Sequence, residues 1–278
     1  MSSQVSIRTK GLWHTFDNFH ALRGIDIDIG LGENIAILGQ NGSGKTTLVK
    51  HFNGLLKPTR GSVEVFDRNT TDTSTAELAR FVGYVYQNPD HQIFSDTIRE
   101  EIAFGPTNLG LPREEVEKRV EEALSLAGLS GFAGSYPFTL GKGMRERVAV
   151  ASVLAMLPKL LIIDEPTTGM DYSGLLGVLR MLERLKDPKK SIIIITHDMW
   201  FAARFADRLI IMSEGEIIAD GPTREIFLRE EILEKAFLRP PQPTRIAQKL
   251  VRFGIRPDCL SVEELFAEIQ RLAGKPWQ

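Results

Sequence analysis

Apolar residues fall along the chain in two rhythms. Short uninterrupted runs rich in Ile, Leu and Val stand at Ile35 to Leu38, Val82 to Tyr86, Leu160 to Ile163, Ile192 to Ile195 and Leu209 to Met212. Runs that do not alternate with polar residues suit strands covered on both faces, so the chain is expected to be α/β, with a mostly parallel sheet flanked by helices. Between these runs the period lengthens. Val116, Val120, Ala123, Leu124 and Ala127 recur at helical spacing after Pro112 and stop at Gly128, with Glu, Lys and Arg on the opposite face. This spacing predicts an amphipathic surface helix. A second helix is predicted from Ser173 through Leu175, Val178, Leu179, Leu182 and Leu185, its apolar stripe packed on the sheet.

The pattern breaks at Arg239-Pro240-Pro241-Gln242-Pro243, where three prolines in four residues predict an extended linker. Beyond it, Ser261-Val262-Glu263-Glu264 has the form of a capping box ahead of Leu265, Ile269 and Leu272, which predicts a terminal helix. The expected organisation is a main unit over residues 1–238 and a small helical appendage over 239–278.

Composition narrows the function classes. At 278 residues, 42% hydrophobic and 25% charged, the chain can bury a large core. Its 34 Lys+Arg against 36 Asp+Glu give a net charge of −2, so no global field argues for nucleic acid, and an acidic ligand must be held by a local site. Cys259 is the only cysteine, which excludes an internal disulfide and a cysteine-based zinc cluster and fits a reducing compartment, the cytosol. The longest apolar stretches, Ala149 to Leu157 and Ile192 to Ile195, fall short of the roughly 18 residues that a membrane span needs. Met1 to Val5 lacks a basic region followed by an apolar one, so no secretory signal is expected. A membrane role would come through a partner protein.

One segment carries most of the chemistry. Gly39-Gln40-Asn41-Gly42-Ser43-Gly44-Lys45-Thr46 matches G-x-x-x-x-G-K-[ST] in full, directly after the first apolar run and ahead of a helix expected near Lys45. Glycines let backbone N–H groups turn inward around phosphate oxygens, Lys45 supplies a point charge to the β and γ phosphates, and Thr46 offers a hydroxyl to Mg²⁺. Thr47 follows in the same turn. The second half of a nucleotide site is Leu160-Leu161-Ile162-Ile163-Asp164-Glu165. A strand ending in a carboxylate beside the phosphate loop places Asp164 to hold Mg²⁺. Glu165, adjacent in an extended chain, is expected to point the other way and to serve as general base toward a water attacking the γ-phosphate. His197 closes the Ile192 to Ile195 run; parallel sheets gather functional groups at the C-terminal strand edges, where Gly39, Asp164 and His197 all fall.

With these motifs in order, the chain resembles an ATP-binding cassette (ABC) ATPase, the nucleotide-binding subunit of ABC transporters, over residues 5 to about 235. Tyr84-Val85-Tyr86-Gln87-Asn88-Pro89 resembles the family's glutamine loop, Asp171 its D-loop and His197 its switch histidine. The resemblance implies a P-loop NTPase with an antiparallel N-terminal β subdomain, a helical subdomain over about 88–157, ATP and Mg²⁺ as ligands, and Gln87 at the metal. It also implies that Phe16 stacks on adenine, with Trp13 as the nearby rival.

Gln87 to Phe94 and Glu101 to Pro112 resemble the energy-coupling factor branch, whose importers take up vitamins or transition-metal ions. The implied role is a peripheral ATPase at the cytoplasmic membrane face, gripping a transmembrane coupling protein around Asp90 to Phe94. A substrate-binding membrane subunit would be reached only indirectly. Ile93 and Phe94 read equally as core.

The family signature LSGGQ corresponds to Leu140-Gly141-Lys142-Gly143-Met144. Gly141 lacks the hydroxyl, Lys142 replaces a glycine, and Gly143 remains. In the family this loop meets the γ-phosphate held by the opposite subunit, so the departure implies pairing with a second ABC ATPase of normal signature, Lys142 offering its ammonium to the same phosphate. Set against this reading are a soluble ABC protein acting on the ribosome or in DNA repair and an unrelated P-loop kinase or GTPase.

Overall fold

The computed structural model describes residues 5–274 and holds two sheets. β1 (Val5–Phe16), β2 (Phe19–Gly30), β4 (Arg60–Val65) and β5 (Arg68–Asn69) form an antiparallel sheet in the order β2-β1-β4-β5. The second sheet runs β10-β9-β3-β8-β7-β6 and comprises β3 (Asn34–Leu38), β6 (Val82–Val85), β7 (Leu160–Asp164), β8 (Ser191–Ile195), β9 (Arg208–Ser213) and β10 (Glu216–Pro222). Its strands are parallel except for β10, which returns antiparallel on β9 at the edge. Each apolar run of the sequence is therefore one strand of this sheet.

Eleven helices of the described residues surround the sheets: α1 (Lys45–Phe52), α2 (Thr75–Leu78), α3 (Ile98–Asn108), α4 (Arg113–Ala127), α5 (Lys142–Leu154), α6 (Tyr172–Leu185), α7 (Met199–Phe205), α8 (Thr223–Leu228), α9 (Glu230–Lys235), α10 (Gln242–Lys249) and α11 (Val262–Ala273). No helix among the described residues is long and apolar enough to cross a membrane.

The uninterrupted apolar runs have a physical cause: alternate residues feed two different cores. Ala36, Leu38, Leu161, Ile163, Ile192, Ile194, Leu209 and Ile211 pack toward α4, α5, α6 and α7. Ile35, Ile37, Leu160, Ile162, Ile193, Ile195, Ile210 and Met212 pack on the other face against α1 and the antiparallel sheet. Polar residues would be stranded on either side.

The predicted surface helix is α4, ended by Gly128 in the left-handed region at φ 66°. The second predicted helix is α6, which buries Val178, Leu179, Met181, Leu182 and Leu185 and leaves Leu175 only partly buried. The proline segment departs from its predicted form. The chain is extended only through Pro241; α10 starts at Gln242 with Pro243 in its first turn. A first-turn N–H has no intrahelical partner, so proline is tolerated there. At Ser261 half of the predicted capping box forms: Oγ accepts the Glu264 N–H, while the Glu264 carboxylate accepts from Leu260 N–H and from Arg224. The secretory-signal expectation at residues 1–4 lies outside the described residues.

Candidate nucleotide site

The phosphate loop is shaped by glycines that no other residue can replace. Gly39 adopts φ +155°, and a Cβ there would stand 2.3 Å from the Met212 carbonyl oxygen; Gly44 adopts φ +99°, with a Cβ 2.7 Å from the Ala21 carbonyl. Gly44 caps α1 without any side-chain bond, so the first N–H groups of the helix are left for a ligand. Lys45 is buried, and its Nζ donates to the Gly39 and Gln40 carbonyls at 2.9 Å each. Burial lowers the Lys45 pKa, and the nearby Glu165 and Asp164 carboxylates act in the opposite sense.

Asp164 ends β7 beside this loop. Its Oδ2 accepts from Thr46 Oγ1 at 2.9 Å and from the Tyr84 hydroxyl at 2.8 Å, while its Oδ1 is buried with no protein partner. Burial pushes the Asp164 pKa up, and the two hydroxyls pull it back. Hard oxygen donors with one buried lone oxygen fit a small divalent cation of the Mg²⁺ kind.

Glu165 diverges from Asp164, for a different reason than extended-chain alternation. The strand stops at Asp164, and Glu165 turns into the left-handed region at φ 53° while its N–H donates to the Ile195 carbonyl at 2.8 Å. Such a backbone is uncommon for a non-glycine residue and costs energy. It aims Oε2 at His197 Nδ1, 2.5 Å away, and at Thr168 Oγ1, 3.0 Å away.

These groups border a cleft of about 420 Å³ lined by Phe16, Phe19, Ala21, Asn41, Gly42, Gly44, Lys45, Thr46, Thr47, Gln87 and Glu165. Gly39 and Gln40 support it through Lys45, Ser43 through its N–H on the Gln40 carbonyl, and Asp164 through Thr46. Trp13 does not line it; its ring packs over Gly24 and edge-on to His20.

Sequence reasoning missed three residues here. Phe19 pairs with Phe16 across the Asp17-Asn18 turn, so the two aromatics flanking that turn were the available signal. Tyr84 reads only as part of an apolar run and of the glutamine-loop segment, not as a partner of Asp164, and nothing local distinguishes Thr168.

Gly141, Lys142, Gly143, Asp171 and His197 do not line this cleft. Four of them meet around the start of α5. Gly141 caps the helix with no side-chain bond, and a Cβ on it would meet open space. The Lys142 ammonium does not reach outward as the sequence suggested; it folds over Gly169 of its own chain, 3.0 Å from where a Cβ would stand. Gly143 packs on Gly174, where a Cβ would come within 2.9 Å of the Gly174 Cα. Asp171 caps α6, its Oδ1 accepting the Gly174 N–H at 2.8 Å. One turn further along α5, Glu146 is 1% exposed with Oε1 unpartnered, and burial pushes its pKa up to about 8 against the pull of Lys142.

The glutamine-loop segment is tied to this second cluster. Arg145 donates to both oxygens of Asp90, at 2.6 and 3.3 Å, and to the Leu140 carbonyl at 2.5 Å. Ile93 is core, whereas Phe94 is 62% exposed and meets the exposed Phe104 edge-on, ring centroids 4.7 Å apart. Glu101 accepts the Phe94 and Ser95 N–H groups at 3.0 Å each and fixes that turn.

Comparison with known proteins agrees with this geometry. The family model for the ABC transporter matches residues 22–168. The energy-coupling factor transporter ATP-binding protein EcfA of Methanothermobacter thermautotrophicus is 43% identical over 262 residues, covering 93% of this chain and 84% of that protein. A relative from Caldanaerobacter subterraneus is 46% identical over 268 residues, and the chain spans 46% of its length. The solved cbiO1 of Clostridium perfringens, part of the ABC transporter complex cbiONQ, superposes with a TM-score of 0.76 at 35% identity, covering 90% of this chain and 97% of that one. The cassette MJ0796, solved as a dimer in a post-hydrolysis state bound to ADP and Pi, superposes at 0.69 with 28% identity, covering 78% of this chain and 98% of that one. A complete phosphate loop, a strand-end acid pair and these relatives together place the chain in the ABC transporter ATP-binding family of ATPases, on its energy-coupling factor branch.

Proposed function

We propose that this chain binds MgATP in the Phe16–Glu165 cleft and hydrolyses it to drive an energy-coupling factor importer for a vitamin or a transition-metal ion. The observation that carries the reading is the divergence of the two strand-end acids. Asp164 faces Thr46 with one oxygen uncommitted, and Glu165 faces His197.

In this reading Phe16 stacks on the base, and the backbone of Gly39, Gln40, Asn41, Gly42, Ser43 and Gly44 surrounds the phosphates together with Thr47. Lys45 places its charge between the β and γ groups. Thr46, Asp164 and Gln87 hold Mg²⁺, which when bound neutralises charge on the β and γ oxygens. Glu165 has Oε2 engaged by His197 and Thr168, so Oε1 is the oxygen that takes a proton from the attacking water.

The cleft lacks any contribution from Gly141, Lys142, Gly143 or Asp171 of the same chain. That supports a composite site in which a second ABC ATPase supplies its signature, while this chain's altered one completes a weaker site. Residues 1–238 act as the ATPase unit and 239–278 as the appendage. The exposed Phe94–Phe104 pair beside the glutamine loop supports docking of a transmembrane coupling protein at the cytoplasmic membrane face, the substrate-binding subunit being engaged only through it. The names of EcfA and of the cbiONQ complex are the support for the importer class.

The test is to mix this chain with a second ATPase of normal signature and measure phosphate release. Glu165→Gln is expected to abolish most of it, and unchanged release would sink the assignment. Capture from detergent extract is expected to recover an integral membrane protein; ribosomal proteins alone would point to a soluble ABC protein instead.

A further inference from the structure

A buried histidine pair stands behind the adenine end of the cleft, and the reaction does not use it. His14 on β1 is 7% exposed and His51 on α1 is fully buried. His51 Nδ1 lies 2.7 Å from the Thr47 carbonyl, an acceptor, so this nitrogen carries the proton. Burial lowers the His51 pKa to about 4, which leaves the ring neutral and its Nε2 an acceptor near pH 7. His14 Nδ1 lies 3.0 Å from that Nε2 and 3.1 Å from the Lys57 carbonyl. Both neighbours accept, so His14 carries its proton on Nδ1 and donates to them. The carbonyls at the two ends thus fix both tautomers.

The chain of contacts ends on the candidate base platform. The His14 and Phe16 rings meet edge to face, centroids 4.4 Å apart at 66°, and the two residues are two positions apart on one strand face. Phe16 is 46% exposed and lines the cleft, and the buried His14 ring packs against it. At the other end His51 bonds the backbone of Thr47, which lines the same cleft.

We infer that His14 and His51 are positioning residues for nucleotide binding, locking the Phe16 ring to the first turn of α1 so that base and phosphate recognition hold a fixed separation. The inference rests on the MgATP reading of the cleft. A platform that must be ordered on binding forfeits part of its stacking energy, and a ring held from behind does not.

The experiment compares Mg-ATP with Mg-tripolyphosphate, which has the phosphates and no base, by calorimetry on the full chain. His14→Asn keeps a donor near the Nδ1 position and removes the ring edge; His14→Leu is the second variant should the first fail to fold. Either is expected to weaken ATP binding by about three- to tenfold, a fraction of one stacking contact, and to leave tripolyphosphate binding unchanged. In a Phe16→Ala background the His14 substitution is expected to cost nothing further, because the platform is already gone. Equal losses for both ligands, or an additive loss in the Phe16→Ala background, overturn the positioning role alone. If Phe16→Ala leaves ATP affinity unchanged, the failure lies in the base-stacking reading beneath it, and the inference falls with it.

Discussion

Two helix starts in this chain, α1 at Lys45 and α5 at Lys142, are built alike and situated differently. Each is capped by a glycine, Gly44 or Gly141, with no side-chain bond to the first turn, so each leaves N–H groups for an anion. At α1 everything converges. A buried lysine crosses the loop, an acid with one free oxygen stands behind Thr46, and a cleft opens in front. At α5 the Lys142 side chain turns back over Gly169, and the Gly143 backbone packs on that of Gly174. The contrast teaches that a helix N-terminus alone is a weak anion site; enclosure and paired charges make the first one a candidate for chemistry, and the second has neither within this chain.

The sharpest way to break the comparison is Glu165→Gln. General-base removal is expected to lower phosphate release by about 10²–10⁴-fold while ATP binding, measured by calorimetry, is kept. Next comes the double change Gly141→Ser with Lys142→Gly, which restores a hydroxyl donor and opens the loop. If α5 completes a composite site, release at the site it serves rises by on the order of 10²-fold, read in a Glu165→Gln background of this chain with the partner's own catalytic residues intact; no rise would mean that α5 contacts no phosphate.

A third test concerns stability. The Glu146 pKa is raised to about 8 in the folded protein from 4.5 when unfolded, so the folded state binds the extra proton between those values and is destabilised as pH rises through that window. Glu146→Gln is expected to raise the melting temperature at pH 8 more than at pH 5. An equal gain at both would show that the carboxyl is not held protonated. The smallest expected effect is Tyr84→Phe, which removes one hydroxyl from Asp164 Oδ2. It should cost about 1 kcal/mol of stability and weaken Mg²⁺ dependence by roughly tenfold, seen in a magnesium titration of activity.

Much of this was legible without coordinates because it depends on local rules. The strands announced themselves because residues that alternate between two cores must all be apolar, and Gly39 to Thr46 is readable because its pattern is complete within eight residues, although the backbone that excludes a Cβ at Gly39 and Gly44 comes from Met212 and Ala21. The proline segment misled because a rule about helix interiors was applied to a first turn, where Pro243 in fact sits. Glu165 shows the same limit from the other side: its divergence from Asp164 was anticipated, but the cause is a left-handed backbone held by the Ile195 carbonyl.

What the chain order by itself determined is the parallel sheet, the phosphate loop and the family, since each is written in neighbouring residues. Only the tertiary structure decided that Tyr84 shares Asp164 with Thr46, that Lys142 bends onto Gly169, and that His14 and His51 meet behind Phe16. Those contacts join residues up to 118 positions apart. A pairing across such a distance is set by how strands and helices stack, which no local pattern of residues encodes.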